Sequence, residues 1–214
     1  MIISNSGTDY KPVPAGTYAA CCIRVIDLGT QVSAYNGKAQ RKVLFTWEIP
    51  EVEVETDDGP MPALISNRYT ASLHEKATLR AVLQSWRGKP FTKEELDGFD
   101  LKNIVGATCL LGVIHKESDG NTYANVSSIM ALPKGMAKIT PAHPLINFSL
   151  DEFNESILAM LSPKMQETIK DSPEYKRATG QIVDEPPTGG GGGDGFDNFE
   201  PDSEIPFLTR YSLR

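Results

Sequence analysis

Residues 63–90 read ALISNRYTASLHEKATLRAVLQSWRGKP, and they decide the fold. The first ten, Ala63 to Ser72, follow a turn and read as a third strand. From about Leu73 the pattern is helical. Leu79, Val82, Leu83 and Trp86 stand at i, i+3, i+4 and i+7, which predicts one apolar stripe on a helix ended by Gly88 and Pro90. Phe91-Thr92-Lys93-Glu94-Glu95-Leu96 adds a short second helix, with Thr92 as N-cap and Glu95 as its capping-box partner. A helix thus interrupts an otherwise β-patterned chain.

Upstream, Gly16 to Leu28 is rich in β-branched and small residues and predicts a long first strand ending at Gly29. Asn36-Gly37 is a hairpin turn. Arg41 to Ile49 is the second strand, with Val43, Phe45, Trp47 and Ile49 on one face, and Pro50 is expected to stop it. Asp57-Asp58-Gly59-Pro60 makes the next turn. Downstream, Asn103 to His115 and Thr122 to Leu132 are the fourth and fifth strands, separated by Asp119-Gly120. Three strands, a helix, then a closing hairpin is the order of a five-stranded OB-fold barrel with its helix between strands three and four. A β-sandwich with an incidental helix is the competing architecture. The expected class is mainly β, with short C-terminal helices and a disordered acidic tail.

Four segments follow. Residues 1–14 are a polar arm, 15–138 the OB domain, 139–180 a helical extension and 181–214 a glycine-rich tail. In the extension, Ser149 reads as an N-cap, and Leu150, Phe153, Ile157, Leu158 and Leu161 recur at helical spacing. Ser162-Pro163 opens another helix, with Met165 and Ile169 apolar. These helices are too poor in apolar residues to form a core alone. Packing on the barrel, on another subunit or on a partner all remain open.

The net charge of −7 is unevenly spread. Residues 1–138 hold 15 Lys/Arg and 15 Asp/Glu, so the acidity belongs to the remainder and does not exclude nucleic acid. Cys21 and Cys22 are adjacent and point to opposite faces of a strand, and Cys109 stands alone, which predicts reduced, mostly buried thiols of a cytoplasmic protein. No apolar run reaches the roughly 20 residues of a membrane span, and no signal-peptide core is present. The sequence holds no phosphate loop, dinucleotide fingerprint or nucleophile elbow, and no cofactor is expected. Glu51, Glu53, Glu55, Asp57 and Asp58 suit a solvated hairpin end better than a nuclease metal site.

Single-strand binders combine cations with aromatic rings on which bases stack. In an OB barrel the groove crosses strands two and three, flanked by the first and last hairpins. The candidates at those places are Tyr35 and Lys38 in the first loop, Arg41 and Lys42 entering strand two, Arg68 and Tyr69 in strand three, and Lys116 and Tyr123 in the last hairpin. Tyr18, Phe45, Trp47 and Trp86 read as core, and Arg80, Arg87 and Lys89 as solvated.

Residues 189–207, GGGGGDGFDNFEPDSEIPF, form a flexible tether displaying aromatics among acids. Asp202, Glu204, Ile205, Pro206 and Phe207 resemble the acidic tip of bacterial single-stranded DNA-binding proteins. In that family the Phe is the last residue, whereas Leu208 to Arg214 follow it here. Upstream, GTYAACCIRVIDLGT (16–30), FTWEIP (45–50), RYTASLHEKATLRAVLQSWRGKPFT (68–92) and DGNTYANVSSIMALPKG (119–135) are similar to phage-encoded single-stranded DNA-binding proteins. These resemblances imply a non-catalytic OB-fold protein in the bacterial cytoplasm. Such a protein coats single-stranded DNA in phage replication, recombination or repair and recruits partner proteins through its tail; whether it is a monomer or a homo-oligomer is left open by the sequence. The alternative is an adaptor or inhibitor that mimics the tail and binds no DNA.

Overall fold

The computed structural model describes residues 11–33, 36–56, 59–118 and 120–181. Tyr35, the acidic pair Asp57 and Asp58, Asp119 and the whole tip from Asp202 to Phe207 lie outside them. The chain is mainly β. Its ladders run in the order β3-β2-β1-β4-β5, formed by β1 (Gly16–Val32), β2 (Ala39–Thr56), β3 (Gly59–Thr70), β4 (Thr108–Ser118) and β5 (Asn121–Ala131). All four pairings are antiparallel. A sixth strand, β6 (Ile146–Phe148), adds in parallel to β1. The hydrogen-bonded ladders thus make an open sheet of six strands, and they do not show the closed barrel of five that the sequence leads one to expect. Among the described residues no ladder joins β3 to β5; the two strands approach through packing alone.

The helices α1 (Thr78–Arg87) and α2 (Lys93–Asp97) do fall between β3 and β4. Leu79, Leu83 and Trp86 are buried as the stripe requires, and the indole N–H of Trp86 donates to the Thr108 carbonyl at 3.0 Å. Both arms of the Thr92–Glu95 capping box are formed. The start of α1 lies later than Leu73. Ser72 Oγ accepts the His74 N–H, and the His74 carbonyl accepts that of Ala77, so local turns use these donors first. The expected start of strand four at Asn103 is likewise a 3₁₀ turn (Leu101–Ile104), because Asp100 Oδ1 accepts the Lys102 N–H at 2.8 Å. Pro50 does not end β2. A bulge between Ile49 and Glu53 takes up the proline, and pairing resumes at Glu53–Pro62.

Both faces of the sheet are buried in places. The inner face carries Ala20, Cys22, Val25, Val43, Phe45, Trp47, Ile49, Ile65, Tyr69, Leu111 and Ile129, capped by α1. Trp47 meets Phe45 edge-on at 5.9 Å and Trp86 at 6.2 Å. Cys21, Cys22 and Cys109 are free and buried, and burial pushes the Cys109 thiol up to about 12. The outer face carries Ile26, Leu28 and Leu44, and against them pack Ile146, Phe148, Leu150, Leu158, Leu161, Met165 and Ile169. This answers the open question of the extension. It lies on the sheet, through β6 and the helices α3 (Glu155–Ala159), α4 (Pro163–Lys170) and α5 (Pro173–Ala178). The N-cap of α3 is Asn154, which accepts from Ser156 and Ile157; Ser149 serves a turn instead.

Polar ties hold the extension in place. Glu48, 1% exposed, accepts the Ala142 and His143 N–H groups at 2.9 and 2.8 Å and contacts His143 Nδ1 at 2.6 Å. Gln31 Nε2 donates to the Thr168 carbonyl. Glu174 accepts from both the N–H and the hydroxyl of Thr30, at 2.7 and 2.6 Å. Gly29 (φ 69°) sits against Ser172, where a Cβ would come within 2.4 Å of the serine side chain.

Two outcomes follow from this docking. Gly29→Ala forces both a left-handed alanine and a clash with Ser172, and is expected to cost about 1–3 kcal/mol in urea unfolding. For Glu174, burial opposes ionisation, but the Thr30 hydrogen bonds outweigh it and hold the pKa below the ordinary carboxylate value. Its contribution is complete above about pH 4.3, the unfolded value, and disappears as pH falls through the folded one. The stability gap between wild type and Glu174→Gln is expected to be flat from pH 7 to about 5 and to narrow below it.

Candidate nucleic-acid interface

Alternation along the strands sets which candidates can meet a ligand. On β2 and β3 the inner row is Val43, Phe45, Trp47 with Ile65 and Tyr69, and the outer row is Lys42, Leu44, Thr46, Glu48 with Leu64, Ser66, Arg68 and Thr70. Tyr69 is therefore on the wrong face for stacking. It is 6% exposed, its ring packs on Phe45 at 5.3 Å, and burial pushes its phenol pKa well up. This corrects its assignment as a base-stacking residue.

Arg41 is also withdrawn from the phosphate-contact set. Its Nε and Nη2 donate to Asp27 at 3.2 and 2.5 Å, and Nη2 pairs with Asp151 at 2.9 Å. The Asp27 carboxylate further accepts the Gly29 and Leu150 N–H groups. The guanidinium is thus flanked by two carboxylates and stitches β1, β2 and the extension together. These hydrogen bonds raise its pKa, so it stays charged and committed. The group lines a cleft of about 370 Å³ between the 3₁₀ turn, the loop after β3 and the segment 147–151.

Lys42 and Arg68 do project from the outer face, both half-buried. Lys42 Nζ donates to Thr70 Oγ1 at 3.0 Å and to Gln40 Oε1 at 3.2 Å. Lys38 is exposed in the turn after β1. Lys116 and Tyr123 face each other directly across the β4–β5 hairpin, half-buried. Arg87, expected to be solvated, lies over Phe91 and Phe99 at 4.5 and 5.2 Å and pairs with Glu95. The sequence could not show the partners of Arg41, because Asp27 is 14 residues away in the chain and Asp151 is 110.

The extension changes the groove most. Leu44, Thr46 and Glu48, the centre of the outer row on β2, are buried. Each of the seven apolar side chains it contributes to the second core is worth about 1.5–3 kcal/mol, so lifting it off for a ligand costs more than a typical binding event returns. Glu51, Glu53 and Glu55 stand exposed on the projecting end of β2. Among the described residues no three His, Cys, Asp or Glu side chains are placed to hold a metal ion, and no helix is long and apolar enough to cross a membrane.

Tyr69→Phe is expected to leave oligonucleotide affinity unchanged. Arg41→Gln is expected to lower stability by roughly 1–2 kcal/mol by leaving Asp27 and Asp151 uncompensated, with no change in the salt dependence of binding. Urea unfolding and fluorescence anisotropy read the two effects separately.

Comparison of the chain with protein-family models and with curated proteins gives no match.

Proposed function

We propose that this is a non-catalytic single-stranded DNA-binding protein whose sheet is an OB-type barrel with a side-chain seam. The connectivity carries the reading. β1 pairs with β2 along its C-terminal half and with β4 along its N-terminal half, helices sit between β3 and β4, and β5 comes back beside β3. Ile65 of β3 and Ile129 of β5 share one core, and α1 packs on both strands. That is the strand order of OB barrels, whose flanking hairpins hold single strands. Lys116 opposite Tyr123 supplies a cation beside a ring on one such hairpin, with Lys38 exposed on the other. The acidic tip at Asp202, Glu204, Ile205, Pro206 and Phe207 recruits replication or repair proteins in a bacterial cytoplasm, consistent with a phage replication or recombination role.

A second reading has its own support. With Arg41 and Tyr69 withdrawn and residues 1–138 carrying no net charge, polyanion attraction is modest. The alternative is an adaptor that uses the tip to occupy a host protein's partner and binds no DNA.

Anisotropy with fluorescent oligo(dT), at low and high salt, separates the two. The full chain and a chain ending at Thr188 are both expected to bind, more weakly as salt rises. Phe207→Ala is expected to abolish capture of replication proteins while sparing DNA. No oligo(dT) binding by either chain, with tip-dependent capture retained, would establish the adaptor.

A further inference from the structure

The outer face of β4 and β5 differs from that of β2 and β3 in each respect that matters to a polyanion. Register places Leu110 opposite Met130, Gly112 opposite Ser128, Ile114 opposite Asn125 and Lys116 opposite Tyr123, all on one face. Glu117 lies on the other face, opposite Thr122, so among the described residues this face carries no carboxylate. Ile114 and Met130 are 43% and 42% exposed, outside both cores, where the corresponding row on β2 is buried under the extension.

Its centre is lined by hydroxyl groups. The register shifts between Gly112 and Val113, which gives β5 one residue more than β4 at that point. The hydroxyls of Ser127 and Ser128 lie 2.9 and 2.4 Å from where a Gly112 Cβ would stand. The two exposed serines fill the space over the buried Gly112 backbone and set hydroxyl donors there, between an apolar pair at one end and a lysine–tyrosine pair at the other. Bases find apolar and aromatic contacts there, and phosphates find hydroxyl, amide and ammonium donors.

We propose that single-stranded nucleic acid runs along this β4–β5 face rather than across β2 and β3. The inference rests on the single-strand-binding reading and specifies its surface. One lysine on a carboxylate-free face gives a shallow salt dependence, with log K against log salt falling at a slope of about −0.7 for each phosphate neutralised.

The test uses the full chain and oligo(dT). Tyr123→Ala and Lys116→Gln are each expected to weaken binding, the former about tenfold, while Lys42→Gln combined with Arg68→Gln changes it less than about twofold. Circular dichroism melting confirms that each variant is folded. Photo-crosslinking of the wild type reads the path without substitution, and crosslinked peptides are expected from residues 108–131. Crosslinks confined to residues 40–48 and 64–70, or affinity lost only in the Lys42/Arg68 variant, would overturn the surface while leaving the single-strand reading intact. Unchanged affinity in every variant would overturn it too. Failure of the wild type to bind oligo(dT) at all would remove the function itself.

Discussion

Strand β1 is the element on which every layer of this protein depends. One edge pairs with β2; the other pairs with β4 as far as Cys21 and then, from Arg24, with β6. Its inner residues enter the sheet's main core and its outer residues, Ile26 and Leu28, enter the second. A regular strand cannot change partners and stay in register with both neighbours. Two irregularities, between Cys22 and Arg24 and between Asp27 and Gly29, give β1 the bends to do so. The Asp27 carboxylate sits at the second bend, and Arg41 and Leu150 both bond to it.

That arrangement explains which parts of the fold were legible in the sequence. Alternation and helical period are local, so the five main strands, the Leu79–Leu83–Trp86 stripe and the Thr92 capping box could be read directly. Bulges are local too, but they leave only a weak trace. Pro50 reads as a terminator, yet the chain uses it at a bulge and continues. The three residues of β6 carry too little pattern to announce a strand, and they exist because β1 leaves an edge open there.

The site was less legible than the fold, for a reason visible at Tyr69 and Arg68. Neighbouring strand residues face opposite ways, so a cation and an aromatic side by side in sequence are not side by side in space. Lys116 and Tyr123, seven positions apart, are brought face to face by the hairpin instead. Arg41 failed as a candidate because its partner carboxylates come from β1 and from the extension, separations that no local pattern encodes. The surface proposed for DNA therefore relies on a ring and hydrogen-bond donors more than on net charge.

The second core also bears on how the chain reaches this state during synthesis. Residues 16–131 can form the main sheet and its inner core as they emerge, but Ile26, Leu28 and Leu44 then present a bare apolar face. That face is covered only when residues 146–169 have left the ribosome. Until then the nascent chain carries a ready surface for chaperones or for misassociation with its own kind. The same holds for any fragment cut at the end of β5, so the short helices that follow belong to the smallest unit able to fold cleanly.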